Sequence, residues 1–173
     1  MLGNWKFGLL LLVVLFIVTA CNNEPAVIAV GENWKAVHEL KSSDKSFRVT
    51  VDGREKIGLG DALDIRVSST KDGKLWVVRV DPDDRVDVLF PNEYSPDNTI
   101  KAYRPLSVPP KGATYSIAAT EPTGHSTLAC IVTTDDTNLG DVFAGQGFSS
   151  KALAIMKRSP EWGIGRLIVE VTP

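Results

Sequence analysis

From Phe47 onward the chain runs in short stretches of alternating side chains, and this period of two restricts its fold more than any other feature. Phe47, Val49 and Val51 flank Arg48 and Thr50, and Leu63, Ile65 and Val67 flank Asp64 and Arg66. A strand places successive side chains on opposite faces, so these runs predict half-buried strands. Turn formers punctuate them at Asp52-Gly53, Gly58-Leu59-Gly60-Asp61, Asp81-Pro82-Asp83-Asp84, Pro91-Asn92 and Pro109-Pro110-Lys111-Gly112. Leu75 to Val80, Val86 to Phe90, a run near Thr99 to Tyr103, Thr114 to Ala118, Ser126 to Thr133 and Arg166 to Thr172 read as the remaining strands. Asp72-Gly73 between two such runs predicts an antiparallel hairpin. Ser149-Ser150 supplies an N-cap for Lys151 to Arg158, the one convincing helix, and Pro160 stops it. The expected fold is mainly β, an immunoglobulin-like or related β-sandwich of about seven or eight strands with one C-terminal helix.

The N-terminal end follows a different pattern. Lys6 precedes an apolar run from Leu9 to Val18, which gives way to Thr19-Ala20-Cys21. That order is a signal peptide in outline, and the run has about half the ~20 residues that a membrane-spanning helix needs. Val18-Thr19-Ala20-Cys21 resembles the bacterial lipobox, in which the thiol takes a diacylglyceryl group and a peptidase cuts at the small residue before it. The expected organisation is a signal peptide over 1–20, a lipidated Cys21 with a linker and N-terminal segment over 21–46, and a β domain over 47–173. Diacylglycerol and palmitate at Cys21 are then the only attached groups expected, with no other cofactor, and they hold the domain at a membrane. Asn22 stands where an Asp would resemble the inner-membrane retention signal, so the expected location is the outer membrane of a bacterial envelope. Within 21–46, Trp34, Val37 and Leu40 have helix-like spacing, although period alone leaves helix and strand open.

Beyond Cys21 roughly 150 residues remain, a length suited to one hydrophobic core. Cys130 is then the single remaining thiol, in the apolar run Thr127 to Val132, and reads as a small buried hydrophobe. The formal net charge is −2 with both signs interspersed, unlike the cationic stripe that a phosphate backbone demands, so nucleic acid is not an expected partner.

Catalytic chemistry finds little material. The only imidazoles are His38 and His125, no nucleophile-elbow pattern accompanies them, and no catalytic residue or enzyme activity is expected. The acidic clusters 81–87 and 135–141 offer the oxygen ligands that hard cations prefer, with Asp81, Asp83, Asp135 and Asn138 as the candidates. Neither fits the twelve-residue calcium loop, and solvated turns are the expected reading. Aromatic residues outside the strands are the better lead. Tyr94, Tyr103 and Tyr115 surround the Asn92 to Pro110 connection and Trp162 follows the helix. Aromatic rings on loops provide contact area at little entropy cost, which makes Tyr94, Tyr103 and Trp162 the candidate partner-binding residues.

The stretch from Gly60 to Val67, then Asp72 to Val78, then Val86-Asp87-Val88-Leu89-Phe90-Pro91-Asn92, resembles the bacterial domain of unknown function DUF4384. The pattern continues through Asp97-Asn98-Thr99-Ile100, Val108-Pro109-Pro110 and Glu121-Pro122-Thr123-Gly124, over roughly Phe47 to Val132. The usual glycine in the turn after the third strand is replaced here by Asp84-Arg85. The resemblance implies a compact β-sandwich-like module of exported or envelope proteins, with no assigned catalytic residues. It also implies proximity to secretion and envelope machinery. The expected function is therefore a lipid-anchored, non-catalytic envelope protein that docks another envelope protein, as an accessory to a secretion system. The alternative is a lipoprotein that binds a small ligand or glycan.

Overall fold

The computed structural model describes residues 31–173; the signal peptide expected over 1–20, Cys21 and the apolar patch Ala26 to Val30 lie outside the described residues. The elements run α1 (Glu32–Glu39), β1 (Val49–Gly53), β2 (Lys56–Gly58), β3 (Ile65–Ser69), β4 (Gly73–Val80), β5 (Val86–Phe90), β6 (Thr99–Ile100), β7 (Leu106–Val108), β8 (Gly124–Thr133), α2 (Leu139–Gln146), α3 (Ser150–Met156) and β9 (Trp162–Thr172). They form a mainly β sandwich. The small sheet has the order β1-β3-β7, and the large one β2-β9-β8-β4-β5 with β6 also on β4. All the pairings are antiparallel except β2 with β9.

Period two decides which core each side chain enters. Leu75 and Val77 of β4, and Leu128, Cys130 and Val132 of β8, meet Ile65, Val67 and Val108 of the small sheet. Their neighbours Trp76, Val78, Ala129 and Ile131 point the other way, into a second core. That core is closed by Trp34 and Val37 of α1, Leu139 and Phe143 of α2, and Ala152 and Met156 of α3. The large sheet is thus buried on both faces, which explains its nearly unbroken apolar runs. Two glycines of β9 let the sheets approach. A Cβ on Gly163 would lie 2.5 Å from the Phe47 ring and one on Gly165 2.6 Å from the Val49 carbonyl oxygen.

Four expectations change. The N-terminal segment is not merely a linker, because α1 packs its Trp34 and Val37 into the second core. Asp72-Gly73 does not turn a hairpin, since β3 and β4 belong to different sheets. A type I′ turn needs positive φ at both central residues, and Gly73 is absent from the positive-φ glycines. It is needed instead because a side chain there would run into the Thr133 carbonyl where β4 pairs with β8. Thr114 to Ala118 is irregular apart from one bridge, Ala62 with Ala118, and the small sheet takes Leu106–Val108 as its third strand. The helix over Ser150–Met156 forms as expected, with the Ser149 hydroxyl accepting from Ala152 N at 3.3 Å, but α1 and α2 accompany it.

One clasp ties the helical layer to the sandwich. Gly31 occupies the N-cap of α1 and has no side chain with which to cap it. Asp84, at the tip of the β4–β5 hairpin, does so from 50 residues away. Its carboxylate accepts from Trp34 N at 2.8 Å and Asn33 N at 3.0 Å, and its carbonyl accepts from Asn33 Nδ2 at 2.8 Å. Asp84 has φ 62, a left-handed conformation that suits glycine and that Asp tolerates better than most residues. This second duty accounts for an Asp, rather than a glycine, at this left-handed position. At the other end of α1, Arg166 of β9 donates from Nε to Val37 O at 2.6 Å and from its Nη2 to Leu40 O, satisfying carbonyls that the helix itself leaves free.

Candidate functional site

The small sheet turns a polar row outward. The register aligns Asp52 with Arg66 and Arg66 with Ser107, and because Ile65 and Val67 fill the core, these three lie on the opposite face. The chain after β7 folds up beside this row from Pro109 to Ser116. Between them is an open groove of about 650 Å³, with Arg66 and Asp52 on its floor and Pro110, Lys111 and Tyr115 in its wall.

Tyr94 extends the wall. Its ring lies 5.4 Å from that of Tyr115, tilted by 31°. The Tyr115 hydroxyl is buried and has no hydrogen-bond partner among the described residues. Tyr94 is 67% exposed, yet its turn is firmly held. Asn92 Oδ1 accepts from Tyr94 N at 3.1 Å and Ser95 N at 3.0 Å, while Asn92 Nδ2 donates to Leu89 O at 3.1 Å.

Tyr103 is 77% exposed and sits on a separate turn beside the end of β3. Its φ is 58, an uncommon conformation for a bulky side chain. The turn is fixed by Tyr103 N donating to Ser69 O at 2.8 Å and by Asp72, which accepts from Ala102 N at 2.7 Å and from Lys101 Nζ at 3.0 Å. The Ala102 N–H, with help from Lys101, holds the Asp72 carboxyl below its ordinary range.

Trp162 does not join these tyrosines. It begins β9 and is 5% exposed in the second core, and its backbone N–H and carbonyl both bond to Ser43 Oγ at 2.9 Å. A strand residue with its ring among Trp34 and Phe143 cannot serve as a surface contact, so the expectation for Trp162 is corrected.

The four candidate cation ligands have other tasks. Asp81 is buried, and its Oδ1 accepts from Asp83 N at 2.9 Å and Arg85 N at 2.8 Å, closing the hairpin turn. Asp83 pairs with Arg85 at 3.3 Å. Asn138 is the N-cap of α2, its Oδ1 accepting from Gly140 N and Asp141 N. Asp135 accepts from Ser159 Oγ and Thr137 Oγ1, each at 2.8 Å. Burial alone would raise its carboxyl, and the Thr137 and Ser159 bonds outweigh that effect and lower it. Among the described residues no group of three or more His, Cys, Asp or Glu side chains converges as a metal site.

His38 stacks on Trp34 with 5.0 Å between centroids and meets the Thr127 hydroxyl at 3.0 Å through Nε2. Burial, and then the neighbouring Arg166 charge, lower its pKa. The Cys130 thiol is fully buried, and desolvation pushes its pKa strongly upward, so the inert reading of this residue holds.

The sequence singled out Tyr94 and Tyr103 but missed the groove. Arg66 and Asp52 were legible as outward positions of alternating strands. Their approach to Tyr115 depends on the path of an irregular loop.

The architecture defines a two-sheet sandwich domain with helices on the outer face of its larger sheet. Residues 57–136 match the model of the family described as Domain of unknown function (DUF4384). No curated protein and no solved structure matches the chain. The matched segment runs from within β2 to just beyond β8 and omits β9, the strand that pairs with both of them. The large sheet is therefore completed by sequence outside the match. Among the described residues no helix is long and apolar enough to cross a membrane.

Proposed function

We propose that this chain is a lipid-anchored, non-catalytic docking module of the bacterial envelope, joined to the outer membrane through acylated Cys21 and accessory to a secretion system. The observation that carries the docking part is the pair of rings at Tyr94 and Tyr103. Both are largely exposed, and both stand on turns fixed by side-chain and backbone hydrogen bonds. Exposure of a tyrosine adds nothing to folding, whereas a pre-ordered ring contributes to a protein contact with little entropy left to lose. The anchor rests on Val18-Thr19-Ala20-Cys21. From Cys21 to Gly31 the chain advances ten residues, at most about 35 Å, so the body stays near the bilayer.

The test is purification of the mature protein from membranes. Mass spectrometry should find a diacylglyceryl-modified Cys21 as the first residue, and an unmodified amino terminus refutes the anchor. A stoichiometric protein partner should co-purify, and Tyr94→Ala and Tyr103→Ala should each weaken that complex by about 30-fold if they act as hot spots. Unchanged affinity in both variants refutes this docking surface. The groove floor of Asp52, Arg66 and Ser107 beside Tyr115 favours a second reading, glycan binding. That reading predicts retention on isolated cell wall without a protein partner, lost in Arg66→Ala.

A further inference from the structure

The small sheet ends before the large one does. Beyond the Ile65 and Val108 pair, the inner face of the large sheet is covered by Leu63 and the irregular segment Ile117 to Thr120. That segment is held by backbone bonds, Leu63 N to Ile117 O at 2.7 Å and Ala119 N to Asp61 O at 2.8 Å, and it turns Ile117 and Ala119 toward the core. The result is a half-enclosed cavity of about 300 Å³. Its walls include Leu128, Val169, Val171 and Ala119, all buried apolar residues.

Arg79, Asp87 and Thr120 form one hydrogen-bonded polar group in the wall of this cavity, and Ser126 of β8 lines it without bonding to them. Arg79, whose side chain is 17% exposed, donates from Nε and Nη2 to Asp87 Oδ2 at 3.2 and 2.6 Å and from Nη1 to Thr120 Oγ1 at 3.1 Å. The guanidinium charge is thereby neutralised. Asp87, whose side chain is 47% exposed, stands at the mouth of the cavity with its Oδ1 bonded to no described residue, and the hydroxyl of buried Ser126 likewise accepts no hydrogen bond there. An apolar chamber with a few polar groups converging at one place is the usual form of a small-molecule site. An apolar cavity of about 150 Å³ takes one benzene ring, so this one has room for about twice that.

We propose that this cavity is a binding site for a small neutral amphiphile, an aliphatic chain or ring system of about eight to ten carbons that carries one hydroxyl or amide N–H. The apolar body lies against Leu128, Val169 and Val171, and the O–H or N–H donates to Asp87 Oδ1. A carboxylate is disfavoured, because it brings a second negative charge to a pair that is already balanced. The site is separate from the tyrosine surface and does not depend on it.

The experiment uses the full-length mature protein in lipid nanodiscs with a diazirine-bearing 1-octanol as photoprobe, read by peptide mass spectrometry. Labelling should concentrate on the peptides containing Ile117 to Thr120 and Val169 to Val171, and excess plain 1-octanol should suppress it. Ala119→Leu, which fills the chamber, should reduce that labelling at least tenfold without lowering the unfolding temperature. Ala118→Leu at the exposed side of the same wall should also reduce it, and this variant decides the matter if Ala119→Leu fails to fold. Tyr94→Ala should leave it unchanged, so loss of docking and loss of the cavity ligand are distinguished. Labelling spread evenly over the surface, or undiminished in the filled variants, overturns the site. Equal labelling by the matching octanoate probe overturns the neutral-headgroup assignment.

Discussion

The clasp between Asp84 and α1 gives the sharpest test of how the helical layer is held. Asp84→Ala removes both acceptors of the α1 N-terminus while leaving a non-glycine residue at φ 62. Loss of an N-cap costs about 0.5–2 kcal/mol, and loss of a negative charge at a helix N-terminus adds about 0.3–1 kcal/mol. Ala also tolerates the left-handed region less well than Asp. With about 1 kcal/mol for the backbone, the sum is about 2–4 kcal/mol. Asp84→Gly loses the same cap but relieves the backbone, which recovers about 1 kcal/mol. Asp84→Asn keeps one acceptor oxygen and much of the conformational tolerance, so it should cost about 1 kcal/mol. The expected order of stability is wild type, then Asn and Gly, then Ala. Near 1 kcal/mol should separate Gly from Ala in urea unfolding monitored by tryptophan fluorescence. A second arm uses Gly31, where an added methyl group would collide with the Asp84 carboxyl. Gly31→Ala should destabilise the wild type and be nearly neutral in the Asp84→Gly background. The reasoning is refuted if Asp84→Ala stays within about 0.5 kcal/mol of wild type, or if Asp84→Gly is the worse of the two.

The same approach extends to other positions. Gly165→Ala should cost about 1–3 kcal/mol by overpacking, and more than Gly163→Ala, because its methyl group meets the Val49 backbone rather than the Phe47 ring; equal unfolding midpoints would contradict the close approach of the two sheets. Trp162→Ala should lose about 3–5 kcal/mol as a core truncation, measured by chemical denaturation, while Tyr94→Ala changes stability by less than about 0.5 kcal/mol. His38 is held below its unfolded pKa of 6.5, so the unfolded chain binds the extra proton and stability falls as pH drops below 6.5. A pH series of unfolding temperatures should show this decline in wild type and a flatter profile in His38→Gln. Asp135, also lowered, contributes stability present above pH 3.8 that disappears in stronger acid, and Asp135→Asn should remove that part of the acid limb in the same series.

The alternating runs made the strands of both sheets legible, since Ile65, Val67, Val86 to Phe90 and Ser126 to Thr133 all lie in strands near the expected positions. Local chemistry misled where a residue serves a distant partner. Asp72-Gly73 has the composition of a hairpin turn, but Asp72 fastens the Tyr103 turn and Gly73 makes room for β8. Helix α2 contains Gly140 and Gly145, each worth about 1 kcal/mol against a helix relative to Ala. Its formation depends on Asn138 as cap and on burial of Leu139 and Phe143, which no local pattern displays. The tyrosines at 94 and 103 were readable as loop aromatics. Trp162 was not, because Pro160-Glu161 ahead of it resembles a loop while the β8 register continues to Thr133 opposite Trp162. The cavity below Ile117 to Thr120 arises from a mismatch in sheet length, a property of the assembled layers rather than of any segment.

Because the large sheet has a core on each side, adjacent residues of one strand answer to different compartments. Trp76 belongs with the helices and Val77 with the small sheet, and Ile131 and Cys130 divide in the same way. The backbone of β4 and β8 is the common partition, and neither compartment can melt without baring one side of it. The molecule should consequently lose its helices and its sandwich in one transition, so that helical circular dichroism and near-ultraviolet signals from the buried aromatics disappear at the same temperature.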